Sequence, residues 1–74
     1  MGNHTNKELN REIGQKLQNA RKAKRLTQGM VADQIGITEH HLSAIERGLS
    51  KASVEVLLGY CEVLDMSPND ILGF

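Results

Sequence analysis

The chain has 74 residues, nine Lys plus Arg against nine Asp plus Glu, one cysteine, and two aromatic residues, Tyr60 and Phe74. That length predicts a single domain that buries only roughly 60% of its unfolded surface. One cysteine excludes an internal disulfide framework, and no apolar run approaches the roughly 20 residues that span a bilayer. The polar start, Met1 to Asn6, lacks the apolar core of a signal peptide, so a cytoplasmic, nucleoid-associated location is expected, with no membrane partner. Zero net charge hides a marked asymmetry. Residues 1–51 carry all nine Lys and Arg with five acids, whereas residues 52–74 carry four acids and no Lys or Arg. A basic half can meet phosphates while an acidic half faces away.

Residues 1–6 are expected to form a disordered tail and residues 7–74 one helical domain. The first helix is predicted from about Lys7 to Lys24, because Leu9, Ile13, Leu17 and Ala20 recur at helical spacing. Gly14 interrupts it and weakens it by roughly 1 kcal/mol relative to Ala. Thr27 is a good N-cap for a second helix, Gln28 to Ile35, with Val31, Ala32 and Ile35 inward. Gly36 ends it in the left-handed conformation that glycine adopts at least cost.

Thr38 caps a third helix, Glu39 to Arg47, with Leu42 and Ile45 on its inner face and Gly48 at its end. Ser53 caps a fourth, Val54 to Leu64. There Val54, Leu57, Leu58, Cys61 and Leu64 form an apolar stripe expected to face the core. Ser67 caps a short fifth helix that opens on Pro68, where the missing N–H costs nothing. Ile71 and Leu72 point inward.

The informative stretch is Leu26 to Gly48. Two short threonine-capped helices are joined by Ile35-Gly36-Ile37-Thr38, and a small residue, Ala32, stands four positions before the turn glycine. A larger side chain there would force the helices apart. This is the logic of a helix-turn-helix, in which the second helix enters the major groove.

The stretch resembles the Cro/phage-repressor type of helix-turn-helix regulator, the xenobiotic-response-element-like (XRE) family. The resemblance spans roughly Ile13 to Leu72. It is carried by Leu26-Thr27-Gln28, Val31-Ala32, Ile35-Gly36-Ile37-Thr38, Leu42-Ser43-x-Ile45-Glu46-Arg47-Gly48, Ser53-x-Glu55-x-Leu57-Leu58, Leu64 and Met66-Ser67. It implies an all-α, compact five-helix, lambda-repressor-like domain that binds double-stranded DNA and regulates transcription. It also implies an ion pair between Arg21, late in the first helix, and Glu46, at the end of the recognition helix. Base contacts fall by position on Glu39, His40, Ser43 and Ala44. Gln28 takes the family's phosphate-holding role. Thr27, His41, Arg47 and Lys51 are further phosphate candidates by cap position and by their place beside the recognition helix.

The chain departs from the family's pattern at four places. Gly29-Met30 stand where acidic residues are usual, an acid and two histidines open the recognition helix, Ala52 replaces a common proline, and Asp65 replaces a helix-ending glycine. Asp tolerates the left-handed conformation better than most residues.

One recognition helix reads only a few base pairs, so a homodimer on an inverted repeat is expected, with half-sites roughly 34 Å apart. Val56, Tyr60 and Val63 lie off the expected stripe of the fourth helix. With Ile71 and Phe74 they would form a self-complementary dimer patch.

Catalysis is not expected. Cys61 falls in phase with the core stripe. His40 and His41 are adjacent, point about 100° apart on a helix, and cannot jointly clasp a metal. No carboxylate pair or phosphate cradle is present, and no cofactor, metal or small-molecule ligand is expected. A protein-interaction module and an antitoxin remain as alternatives on the same scaffold, and steep salt dependence separates DNA binding from the first of them.

Overall fold

The computed structural model describes residues 6–73. Five helices follow one another: α1 (Asn6–Ala23), α2 (Gln28–Ile35), α3 (Glu39–Glu46), α4 (Val54–Leu64) and α5 (Pro68–Leu72), with no strand among the described residues. Asn6, assigned from sequence to the tail, is the first helical residue. Phe74 and residues 1–5 lie outside the described residues.

Each helix after the first begins on a hydroxyl cap. Thr27, Thr38, Ser53 and Ser67 are extended, and each side-chain oxygen accepts from the backbone N–H three residues on. Ser67 and Asp70 complete a reciprocal capping box, which satisfies two of the donors that a helix start leaves open. The breaks end cheaply too. Gly36 is left-handed at φ 90°, and its N–H and that of Ile37 both donate to Ala32 O, at 2.8 and 3.0 Å. Asp65 ends α4 at φ 55°.

The packing is α1 against α3, α4 and α5, with α2 wedged between α3 and α4. Leu17, Ala20, Val31, Ala32, Leu42, Ile45, Val56, Tyr60, Leu64 and Ile71 make one continuous core. Leu9, expected inside, stands at the exposed start of α1.

The phase of α4 differs from the expected one. Val56, Tyr60 and Leu64 are buried, while Val54 and Leu58 are 67% and 56% exposed. The helix is apolar almost all round, so periodicity permits two inner faces. Its neighbours choose. A side chain on Gly59 would press within 2.9 Å of Ile35, so α4 lies close on α2 with that face inward. The proposed dimer patch is therefore corrected. Val56, Tyr60 and Ile71 belong to the chain's own core, and Val63 is half-buried against it.

Gly14 also has a reason that its helix propensity does not reveal. It is buried, and a Cβ there would collide with the carbonyl oxygens of Ile45 and Glu46. The missing side chain lets α1 lie directly on the carboxyl end of α3. Gly48 makes a similar approach to the Arg11 backbone, at φ 78°. Its N–H donates to Ile45 O and that of Leu49 to Ala44 O, which closes α3.

Candidate nucleic-acid interface

A helix of eight residues is too short to persist alone, so α3 must be held by what lies behind it. Leu42 and Ile45 provide the apolar part, at 0% and 1% exposure. The polar part is Glu46. Its carboxylate accepts from Arg21 Nε and Nη2 (both 2.9 Å), from Gln28 Nε2 (3.0 Å) and from the Tyr60 hydroxyl (2.6 Å). Arg21 Nη1 donates in addition to Leu26 O at 2.7 Å. Four helices thus converge on one carboxylate. Arg21 and Glu46 are both buried, and among the described residues no buried side-chain polar atom lacks a partner.

The electrostatics follow from this geometry. Burial alone would raise the Glu46 carboxyl. The hydrogen bonds from Arg21, Tyr60 and Gln28, with the Arg21 charge, outweigh it and hold the group below the usual carboxylate range. The bond to Glu46 pushes Arg21 up against its own desolvation. Burial first, then the Glu46 carboxylate, pushes the Tyr60 phenol far above its ordinary value. The ion pair is therefore charged at any ordinary pH, with Tyr60 as a neutral donor. An ion pair so enclosed fixes geometry more reliably than it adds stability.

The opposite side of α3 is open. Glu39, His40 and His41 are exposed in its first turn, and Ser43 and Ala44 are half-buried one turn on. The Thr38 hydroxyl accepts from His41 N at 3.0 Å and fixes that turn. Thr27 caps α2 in the same way, receiving Met30 N at 3.1 Å. Arg47 and Lys51 are exposed on the segment that leaves α3. Gln28 is half-buried, with its amide nitrogen turned to Glu46 rather than outward.

The structure brings Arg21 and Glu46 together as the resemblance implied. It adds two participants that sequence reasoning missed. Tyr60 donates to the same carboxylate, and Gly14 gives α1 its place against α3. A signal existed for the first, since a tyrosine within an aliphatic helix needs a partner for its hydroxyl. Among the described residues, no three of His, Cys, Asp and Glu come together so as to hold a metal ion. No helix there is long and apolar enough to cross a membrane.

A family model described as helix-turn-helix matches residues 17–71. Among solved structures, the chain is similar to the clp gene regulator ClgR from Corynebacterium glutamicum. The two are 31% identical with a TM-score of 0.81, over 86% of this chain and 83% of that one. A second ClgR structure gives a TM-score of 0.82 at 31% identity, over 86% of this chain and 68% of that one. The restriction-modification controller protein C.AhdI from Aeromonas hydrophila is 30% identical, with a TM-score of 0.76 over 82% of this chain and 92% of that one. No curated protein sequence matches the chain.

Proposed function

The chain belongs to the XRE-type helix-turn-helix family of DNA-binding transcriptional regulators, and from that premise we propose that it works as a homodimer reading an inverted-repeat operator through α3. The observation that carries this reading is the division of α3 itself. One side is pinned through Glu46 to three other helices, and the other presents Glu39, His40 and His41 to solvent. A helix so held can enter a major groove without losing its orientation.

On DNA, Glu39 and His40 meet base edges first, with Ser43 and Ala44 one turn behind. Glu39 accepts from an amino group, His40 donates to guanine, and the Ala44 methyl touches that of thymine. Thr27, His41, Arg47 and Lys51 hold phosphates and set the register. Gln28 keeps one amide hydrogen on Glu46 and offers the other to a phosphate. For the second copy, the exposed Val54 and Leu58 of α4 replace the residues now assigned to the core.

Selection of bound sequences from random DNA, followed by titration at several salt concentrations, tests the reading. An enriched inverted repeat, with affinity falling linearly in log–log salt plots, is expected. Enrichment of a single half-site would remove the dimer. Absence of DNA binding at low salt would leave a protein-interaction module as the better reading.

A further inference from the structure

Two departures of this chain from its family's pattern, Gly29 after Gln28 and Glu39 at the start of α3, are one feature in the fold. A Cβ built on Gly29 would lie 3.2 Å from Glu39 Oε1 and 3.7 Å from the carbon that bears it, with Thr27 Oγ1 at 4.0 Å. Gly29 sits inside α2 without a left-handed backbone, so its conformation does not demand glycine. What it supplies is room, and the Glu39 carboxylate is what borders that room. The acid from the tip of the recognition helix lies back across the first turn of α2.

Thr27 and Gln28 of that same turn are the residues proposed above to hold phosphate. A carboxylate and a phosphodiester repel each other at such close quarters. On approach to DNA, Glu39 must therefore turn away, toward the base edges. There it can accept only from an exocyclic amino group, that of cytosine or adenine. The oxygen and nitrogen acceptors of guanine and thymine repel it in turn.

We infer that Glu39, rested against Gly29, is a rejecting specificity determinant. It weakens binding to every site that sets an acceptor of guanine or thymine, rather than the amino group of cytosine or adenine, against the carboxylate at the start of α3, so the chain selects its operator by penalising the others. This rests on the DNA-binding reading above. It goes beyond that reading in making Glu39 a source of rejection, and in giving Gly29 a role.

The test compares the full chain with Glu39→Gln, Gly29→Ala and the double variant. Each is titrated with the selected operator and with random-sequence DNA of equal length. Glu39→Gln removes the charge and keeps the shape. It should tighten binding to random DNA on the order of tenfold and change operator binding much less, so that the ratio of affinities falls. Gly29→Ala keeps the charge and displaces the flexible carboxylate from α2 toward the base edges, so it should act in the opposite direction and more weakly, raising the ratio of affinities. In the double variant it should add nothing.

Equal tightening on both DNAs would reduce Glu39 to a general surface charge and overturn the inference. So would a Gly29→Ala effect that persists undiminished beside Glu39→Gln. If the unmodified chain binds neither DNA, the DNA-binding reading falls and takes this inference with it. If it binds both and the ratios never change, this inference alone falls.

Discussion

The two sides of α3 obey different rules. The rear, Leu42, Ile45 and Glu46, is buried and fixed by partners on three other helices, while the front, Glu39, His40 and His41, stands in solvent. Substitutions behind should be felt as stability, and substitutions in front as sequence preference. That separation lets one scaffold serve many targets.

The largest effect should come from Glu46→Ala. It strands the Arg21 charge in the core and should cost about 3–5 kcal/mol, a large share of the about 5–15 kcal/mol that holds a domain together. Urea unfolding should give a midpoint lowered in proportion to that loss, with the slope unchanged. A loss below about 1 kcal/mol would mean that water reaches Arg21.

Tyr60→Phe removes one donor to a charged acceptor, worth about 1.5–3 kcal/mol. For a domain of this size each kcal/mol lowers Tm by roughly 4–8 °C, which calorimetry resolves. If Tyr60 were instead an interface residue, the variant would change the oligomeric state in sedimentation and leave Tm almost unmoved.

Two helical glycines sharpen the comparison further. Gly14→Ala should destabilise by about 1–3 kcal/mol through overpacking against backbone carbonyls, despite the helix propensity gained. Gly29→Ala meets only the tip of a flexible side chain and should gain about 0.5–1 kcal/mol. Denaturation of both variants in parallel gives opposite signs.

Acid reaches the rear side through Glu46. The folded state holds Glu46 below its ordinary range. Its contribution is therefore complete above the unfolded carboxylate value of about 4.3 and is lost as pH falls through the lower folded value. Tm should be flat at mild acidity and drop below about pH 4, with Tyr60→Phe shifting the drop upward.

His40→Ala should bring the smallest change in stability, within about 0.5 kcal/mol. It should still relax discrimination at one base pair by about 1–3 kcal/mol. Competition binding to single-substituted operators reads that change. A loss spread evenly over all sequences would make His40 a phosphate contact instead.

What was legible in the sequence was local. Thr27, Thr38, Ser53 and Ser67 were identifiable as caps because a cap is decided within three residues. Gly36 and Asp65 marked left-handed ends for a similarly short-range reason. The phase of α4 was illegible because valine, leucine and tyrosine occupy nearly its whole circumference. Only packing on α2 and α1 selects Val56, Tyr60 and Leu64. Gly14 looked like a weakness because the carbonyls it accommodates belong to residues far along the chain. The Arg21–Glu46 pair came from family resemblance, since no spacing rule joins positions so distant. Ser43 and Ala44 were placed on the reading face by position, and the fold half-covers both.

The carboxylate shared by α1, α2, α3 and α4 has a kinetic consequence. None of these helices can detach without breaking a hydrogen bond to a desolvated carboxylate, so local opening of any one of them is costly. The amides of α2 and α3 should then exchange slowly with solvent. If α3 enters the groove as proposed, it arrives already formed and held from behind, and little ordering entropy is spent at the encounter. Association then waits on diffusion and orientation rather than on folding.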